Sequence, residues 1–540
     1  MCGIAGVLGR VGGQCLTKVV EAMAATLVHR GPDDNGVWID ADAGIAIGHR
    51  RLAIVDLSPE GHQPMLSASG RYVMAFNGEI YNYEALRKEL EGERQSLPGT
   101  VGPIGWRGHS DTEVMLAAIS AWGIERALAK FVGMFAIALW DRAERRLHLL
   151  RDRMGEKPLY YGWCNGAFVF GSELKALRKF PGFSAEVDRQ ALTLYLRHMA
   201  IPAPFTIYRG IYKLQPGYML SLGLGDASVH PDGTAFQAPF TAGGLALRQW
   251  WSLNRAVEAG RASLIADETE ALQLLESRLR ESIRLQSLAD VPLGAFLSGG
   301  VDSSLIAALM QSQAAAPVRT FTIGFQDRQF NEADHARAVA RHLGTDHVEL
   351  YVTAADALDV IQRLPRLYDE PFGDSSQIPT FLLCAQVRKH LTVALSGDAG
   401  DELFGGYNRY FWVRRIWNKV SWAPLPARRL LARVVAALPP RYWDTVYTIV
   451  GHLLPSGLQA SQAGDKLHKL AERLATVGDD DALFYSLVSE WSHPEEIVIG
   501  ASEPATLLSR RDDWPALPDI EHRMMYLDAM TYLPDDILTK

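Results

Sequence analysis

Cys2 follows the initiator methionine directly. Its small side chain favours removal of Met1, which would leave a first residue carrying both a thiol and a free amine. An α-amino group titrates near pH ~8, so it can take the proton of its own thiol, as N-terminal nucleophiles require. A cysteine at position 2 says little alone; its company says more. Asn77-Gly78-Glu79 follows an apolar run ending at Phe76, where Asn and Gly suit a tight turn exposing a side-chain amide and a main-chain N–H. Two such donors can hold an oxyanion. Arg51 can grip a carboxylate through two parallel hydrogen bonds. Glu79 and Asp111 together offer what an α-ammonium needs, although Asp111, beside Ser110, also suits a helix cap. These parts fit an amidase acting on the side chain of glutamine.

A second set lies far along the chain. Ser298-Gly-Gly-Val-Asp-Ser-Ser304 joins an apolar run to a helix bearing Ala and Leu. Its glycines let the backbone approach an anion, and its hydroxyls and helix N-terminus supply donors. No Gly-Lys-Ser/Thr follows, so it is not a Walker loop. Plain strand-to-helix punctuation is the alternative reading. Leu395-Ser-Gly-Asp-Ala-Gly-Asp-Glu-Leu-Phe-Gly-Gly-Tyr407 also follows a strand-like run and gathers Asp398, Asp401 and Glu402. Such carboxylates repel one another unless a cation or a cationic substrate sits among them. Mg²⁺ shared with phosphates is the natural partner, and an acidic solvated turn the alternative.

The elements that must position these groups change rhythm part-way. Up to about residue 222, short strands mix with a few helices, which predicts a layered α+β domain. Residues 92–108 read as a loop, and 223–267 as a linker containing a stretch rich in Gly, Ala, Pro and Thr. From 268 helices and strands alternate, with strands at 291–297, 319–325, 347–352 and 392–395. That alternation implies a parallel sheet whose ligands bind at the carboxyl ends of the strands, where both loops fall. Beyond 410 the chain reads as mostly helical.

At 540 residues the chain is too long for one core. With 48% hydrophobic and 21% charged residues it reads as globular rather than disordered. A net charge of −8 gives no sign of nucleic acid, and no run reaches membrane-spanning length. Four cysteines without metal or disulfide spacing, and no signal-peptide pattern, point to a cytoplasmic enzyme.

Met-Cys-Gly-Ile-Ala-Gly, Arg30-Gly-Pro-Asp33, Arg51-Leu-Ala-Ile-Val-Asp56, Asn77-Gly-Glu-Ile-Tyr-Asn82 and Ser110-Asp-Thr-Glu113 together resemble the class II glutamine amidotransferase domain. The loop 298–304 resembles the pyrophosphate loop of enzymes that split ATP into AMP and pyrophosphate. In this order the two halves resemble the asparagine synthetase family over nearly the whole chain. The resemblance implies an N-terminal nucleophile (Ntn) hydrolase-like αββα sandwich over 1–222. After the linker it implies an α/β parallel-sheet ATP-pyrophosphatase domain, of the adenine nucleotide α-hydrolase-like kind, over 268–540. It implies Cys2 as nucleophile, with Asn77 and Gly78 holding the oxyanion. Glutamine would lie on Arg51, Ile54, Val55, Asn77, Gly78, Glu79 and Asp111. Leu297, Ser298, Gly299, Gly300, Asp302, Ser303, Ser304, Ile323, Ser396 and Gly397 would meet ATP, and Asp302 and Asp401 Mg²⁺. Asp398 stands where several relatives carry a Glu proposed to assist acyl transfer.

Aspartate as acceptor and a homodimer are family-level expectations. Rival readings are the same chemistry on a sugar acid or peptide carboxylate, a phosphoribosyl amidotransferase, and a catalytically weak regulatory relative. Loop 298–304 argues against the second, and the intact Cys2, Arg51, Asp111 and Asp302 against the third. A β-lactam-forming relative would be expected to lack a working glutaminase site. Residues 412–441 carry seven basic residues among apolar ones, but prolines cut the run, so an ordinary helical surface is expected over a membrane-binding one. Relatives are expected to continue past Lys540 with further nucleotide and acceptor contacts.

Overall fold

Strands in the first half read as unbroken apolar runs because both of their faces are covered. All six residues of Gly3–Leu8 are buried, with Ile4 and Leu8 turned to one core and Ala5 and Val7 to another. Tyr72–Ile80 divides likewise, Val73 and Ala75 to the first core, Met74 and Phe76 to a third. A period of two on doubly covered strands builds layers. A computed structural model, which describes residues 1–9, 15–95, 105–227, 239–325, 331–450 and 463–540, shows those layers. Two antiparallel sheets of six and seven strands enclose the shared core. Helix Leu16–Ala25 buries Val19, Val20 and Met23 on the outside of one sheet. Helix Asp111–Trp122 buries Val114, Met115 and Ile119 on the other. This is the αββα sandwich of the Ntn hydrolases.

Part of the stretch read as a linker is structured. Phe240–Ala242 and Leu245–Gln249 pair in series onto Tyr218–Gly223 and extend the seven-stranded sheet, and helix Leu253–Ala262 follows. Likewise, helix Tyr83–Gln95 runs into the start of the stretch read as a loop, 92–108. Residues 96–104 of that loop and 228–238 of the linker lie outside the described residues.

In the second half four parallel strands lie in the order Asp346–Val352, Arg319–Phe325, Leu293–Phe296, Val393–Leu395. The chain adds strands outward on one side of Leu293–Phe296, then returns to its other side. The switch point therefore falls between Leu293–Phe296 and Val393–Leu395, and loops 298–304 and 396–407 leave from those two strands. A crevice at such a point is where parallel sheets bind ligands. Beyond it the described chain is helical, with prolines at the starts of Leu425–Ala436 and Pro440–Val450, so the basic run is broken as expected. Among the described residues no helix is long and apolar enough to cross a membrane.

Candidate active sites

Cys2 opens strand Gly3–Leu8 and is buried beside the end of Ile45–Arg51. The Leu52 N–H donates to its Sγ at 3.4 Å, and Arg30 Nε donates to its carbonyl at 2.9 Å. Arg30 is itself held by Glu173 at 2.7 Å. Burial pushes the Cys2 thiol up, and the neighbouring terminal amine offsets part of that rise. That amine belongs to Met1, and its own burial lowers it to about 5.

Asn77 does not sit in a turn. Strand Tyr72–Ile80 continues through Asn77, Gly78 and Glu79, paired with Ala136, Phe135 and Met134 of Gly133–Asp141. The reason lies at Gly78: a Cβ there would stand 2.0 Å from the Met134 carbonyl oxygen, so its absence lets the strands close up. Asn77 is fully buried, and among the described residues neither its Oδ1 nor its Nδ2 has a hydrogen-bond partner. A buried amide left so costs about 1–3 kcal/mol, and natural proteins seldom leave one without cause.

Glu79 and Asp111 are both buried. Burial first, then Asp111, raises Glu79 to about 7; burial raises Asp111 to about 6 against hydrogen bonds from Ile80 N–H and Thr112 N–H at 2.9 and 2.8 Å. The capping reading of Asp111 does not hold, because Ser110 is the N-cap and its Oγ accepts from Glu113 N–H. Arg51 is 6% exposed, and its guanidinium donates to the carbonyls of Val55, Asp56 and Ser58. Among the described residues it has no carboxylate partner. Cys2, Arg51, Ile54, Val55, Asn77, Gly78, Glu79 and Asp111 all line one cleft. Every residue expected to meet glutamine is there.

Two residues beside Cys2 escaped the sequence, one holding its carbonyl and one lining its cleft. Arg30 was visible only as part of a motif, with nothing to say that it fixes the Cys2 carbonyl. Lys157 lines the cleft and is buried, its ammonium pushed down first by that burial. A lysine in Gly155-Glu-Lys-Pro158, between two strands, is the signal that went unread.

The second site is built from loops. Gly299 has φ +84, and a Cβ would stand 2.8 Å from His335 Cβ, so only glycine fits. Ser303 Oγ bonds Ser298 Oγ at 2.9 Å and accepts from Ser298 N–H at 3.1 Å, which closes the turn onto helix Val301–Gln313. Loop 396–407 packs directly on it: a Cβ at Gly397 would stand 2.9 Å from Ser303 N, and one at Gly400 2.6 Å from Asp302 Cγ. Burial, then the charge of Asp401, raises the Asp302 carboxyl. Two carboxylates near enough for one to raise the other, lodged against glycines, suit a divalent cation. Glu402 does not join them; it is buried and accepts the Tyr407 hydroxyl at 2.6 Å. Asp398 is exposed and accepts from Ser396 Oγ at 2.7 Å. Leu297 is buried against Ala307 and Ala336, with its N–H donated to the Phe321 carbonyl at 2.8 Å, and Ile323 is half-buried. Ser304 is half-buried one turn into the helix.

The halves meet through Lys213–Glu370 at 2.6 Å, Lys175–Asp369 at 3.4 Å, and Arg197–Glu503. Between them a cavity of about 250 Å³ runs from Met1 and Arg30 to Cys384 and Lys540. Partial desolvation and then the charge of Asp398 raise the Cys384 thiol.

A family model described as a glutamine amidotransferase domain matches residues 1–231, and one described as asparagine synthase matches 274–540. A putative glutamine-hydrolysing asparagine synthetase of Mycobacterium tuberculosis H37Rv is 34% identical, over 100% of this chain and 78% of its own. The chain belongs to the asparagine synthetase family. Asparagine synthetase 1 of Bacillus subtilis is 32% identical over 81% of this chain and 64% of its own, and putative asparagine synthetase 2 of Methanocaldococcus jannaschii 32% over 75% and 76%. This member thus spans between about two thirds and four fifths of those relatives' lengths. Among solved structures, a glutamine phosphoribosylpyrophosphate amidotransferase from B. subtilis aligns over 69% of this chain and 94% of its own, at 16% identity and a TM-score of 0.33.

Proposed function

We propose that this chain makes asparagine from aspartate, glutamine and ATP. Removal of Met1 would expose the Cys2 amine, which takes the thiol proton. The thiolate attacks the glutamine carboxamide carbon, with Asn77 Nδ2 and Gly78 N–H holding the oxyanion. Arg51 would turn from loop carbonyls to the substrate carboxylate, while Glu79 and Asp111 receive its ammonium. Ammonia leaves, and water releases glutamate from the thioester. At the second site the acceptor carboxylate attacks the α-phosphorus of ATP, pyrophosphate departs, and ammonia displaces AMP from the acyl-adenylate. Ser298, Gly299, Gly300 and Ser303 would bind the leaving pyrophosphate, with Ser396 and Gly397 beside the nucleotide. Asp302 and Asp401 would hold Mg²⁺, which when bound screens the phosphate charge. Asp398 would stand beside the acyl group. The cavity between the halves would carry ammonia, which bulk water would protonate and make non-nucleophilic.

The observation that carries this reading is the orphaned Asn77 amide in the cleft of Cys2. Its substrate is tested by ATP–pyrophosphate exchange with and without aspartate. Strong aspartate-dependent exchange is expected. Glutamine hydrolysis without such exchange would assign a different acceptor acid or a silent second site.

A further inference from the structure

The loop that lines the Cys2 cleft is fastened from the other half of the molecule. Residues 52–58 curl around Arg51, whose guanidinium takes their carbonyls. At the crest of this loop Asp56 is fully buried with φ +59, a left-handed conformation that a non-glycine residue holds only when its surroundings impose it. Its carboxylate accepts from Ser58 N–H at 3.1 Å and His109 N–H at 2.9 Å. Its own N–H donates to Asp290 Oδ2 at 2.8 Å. Asp290 answers with its N–H, given to the Ile54 carbonyl at 2.9 Å, and its Oδ2 also lies 2.8 Å from His109 Nε2. One residue of the second half thus holds the backbone on both sides of Val55 and the segment leading to Asp111.

Asp290 stands three residues before Leu293–Phe296, the strand that ends in loop 298–304. Seven residues of largely extended chain, 291–297, roughly 25 Å at most, separate the fastening from the pyrophosphate loop.

We propose that Asp290 is a positioning residue for glutamine: it sets the shape of loop 52–58, and through it the Arg51 guanidinium, from the ATP-binding sheet. Glutamine affinity is thereby tied to the state of that sheet. The inference rests on Cys2 being a glutaminase and adds a residue outside the cleft. Loss of the Asp290 side chain frees the Asp56 N–H and leaves the left-handed turn without its outside brace. The nucleophile and oxyanion donors, carried on other strands, stay in place.

The test is glutamine hydrolysis by the full chain, as wild type, Asp290→Ala and Asp290→Asn, each with and without Mg-ATP and aspartate. Asp290→Ala should raise the KM for glutamine roughly five- to ten-fold, as loss of a charged hydrogen bond does, with kcat nearly unchanged. Asp290→Asn, which keeps an acceptor oxygen for Asp56 N–H, should recover part of that loss. ATP should alter the glutamine KM of the wild type and leave that of Asp290→Ala unmoved. Hydrogen exchange over 52–58 should quicken in Asp290→Ala while exchange in Tyr72–Ile80 does not. An unchanged KM, or an ATP response surviving in Asp290→Ala, overturns the proposal. A wild type that hydrolyses no glutamine would overturn the glutaminase reading itself.

Discussion

The two sites are built in opposite ways. In the first, Asn77, Gly78 and Glu79 belong to a paired strand, and among the described residues neither amide atom of Asn77 has a hydrogen-bond partner. In the second, the groups sit on loops and at helix starts and satisfy each other: Ser298 with Ser303, Ser396 with Asp398. The oxyanion side of the first is preorganised, with the desolvation cost already met by the fold; Arg51 and the second site must exchange internal hydrogen bonds for substrate ones. Electrostatic catalysis at an oxyanion gains most from fixed donors, whereas a nucleotide has to enter and leave.

This contrast can be broken in order of expected effect. Cys2→Ala should abolish glutamine use, by three orders of magnitude or more, while ammonia-dependent amide synthesis survives; loss of both would remove the division of labour. Gly78→Ala meets the Met134 carbonyl at 2.0 Å, so glutamine hydrolysis should fall by at least the ~10²–10³ typical of a lost oxyanion donor. A variant with normal turnover would mean that the strand pair can open without harm. Asp302→Ala should leave hydrolysis intact and stop pyrophosphate exchange, and continued exchange would take it out of the metal site.

A gentler probe is pH. The carboxyls of Glu79 and Asp111 rise from 4.5 to about 7 and from 3.8 to about 6. Between their unfolded and folded values the folded chain keeps protons that the unfolded chain has lost. Stability without substrate therefore declines as pH rises from about 4 to about 7. An ammonium between them rewards ionisation, so the KM for glutamine should fall over the upper part of that range, and Glu79→Gln should flatten the profile. The smallest effect belongs to Glu402→Gln: bonded to Tyr407 and turned from Asp302, it should change exchange by no more than a few-fold.

Motif chemistry was legible because residue type carries it. The sequence could name Cys2, Arg51 and Asp111 without knowing what lies between them, and all three reached one cleft. What it misread was backbone state. Asn-Gly suggested a turn because both residues tolerate one, but pairing with Gly133–Asp141 prevailed, and that contact is not local. Glu402 seemed one of three equivalent acids until the short helix Gly400–Phe404 turned it inward. Lys157 and Arg30 went unassigned because their roles are tertiary, and the stretch called a linker hid two strands whose partner lies upstream.

The placement of Asn77, Gly78 and Glu79 within a paired strand bears on which changes of length this protein tolerates. Side chains alternate faces along a strand, so one residue gained or lost between Tyr72 and Asn77 would turn the amide away from Cys2 and bring Gly78 out of step with Met134. Insertions should accumulate in the stretch after Gln95 and never in that strand.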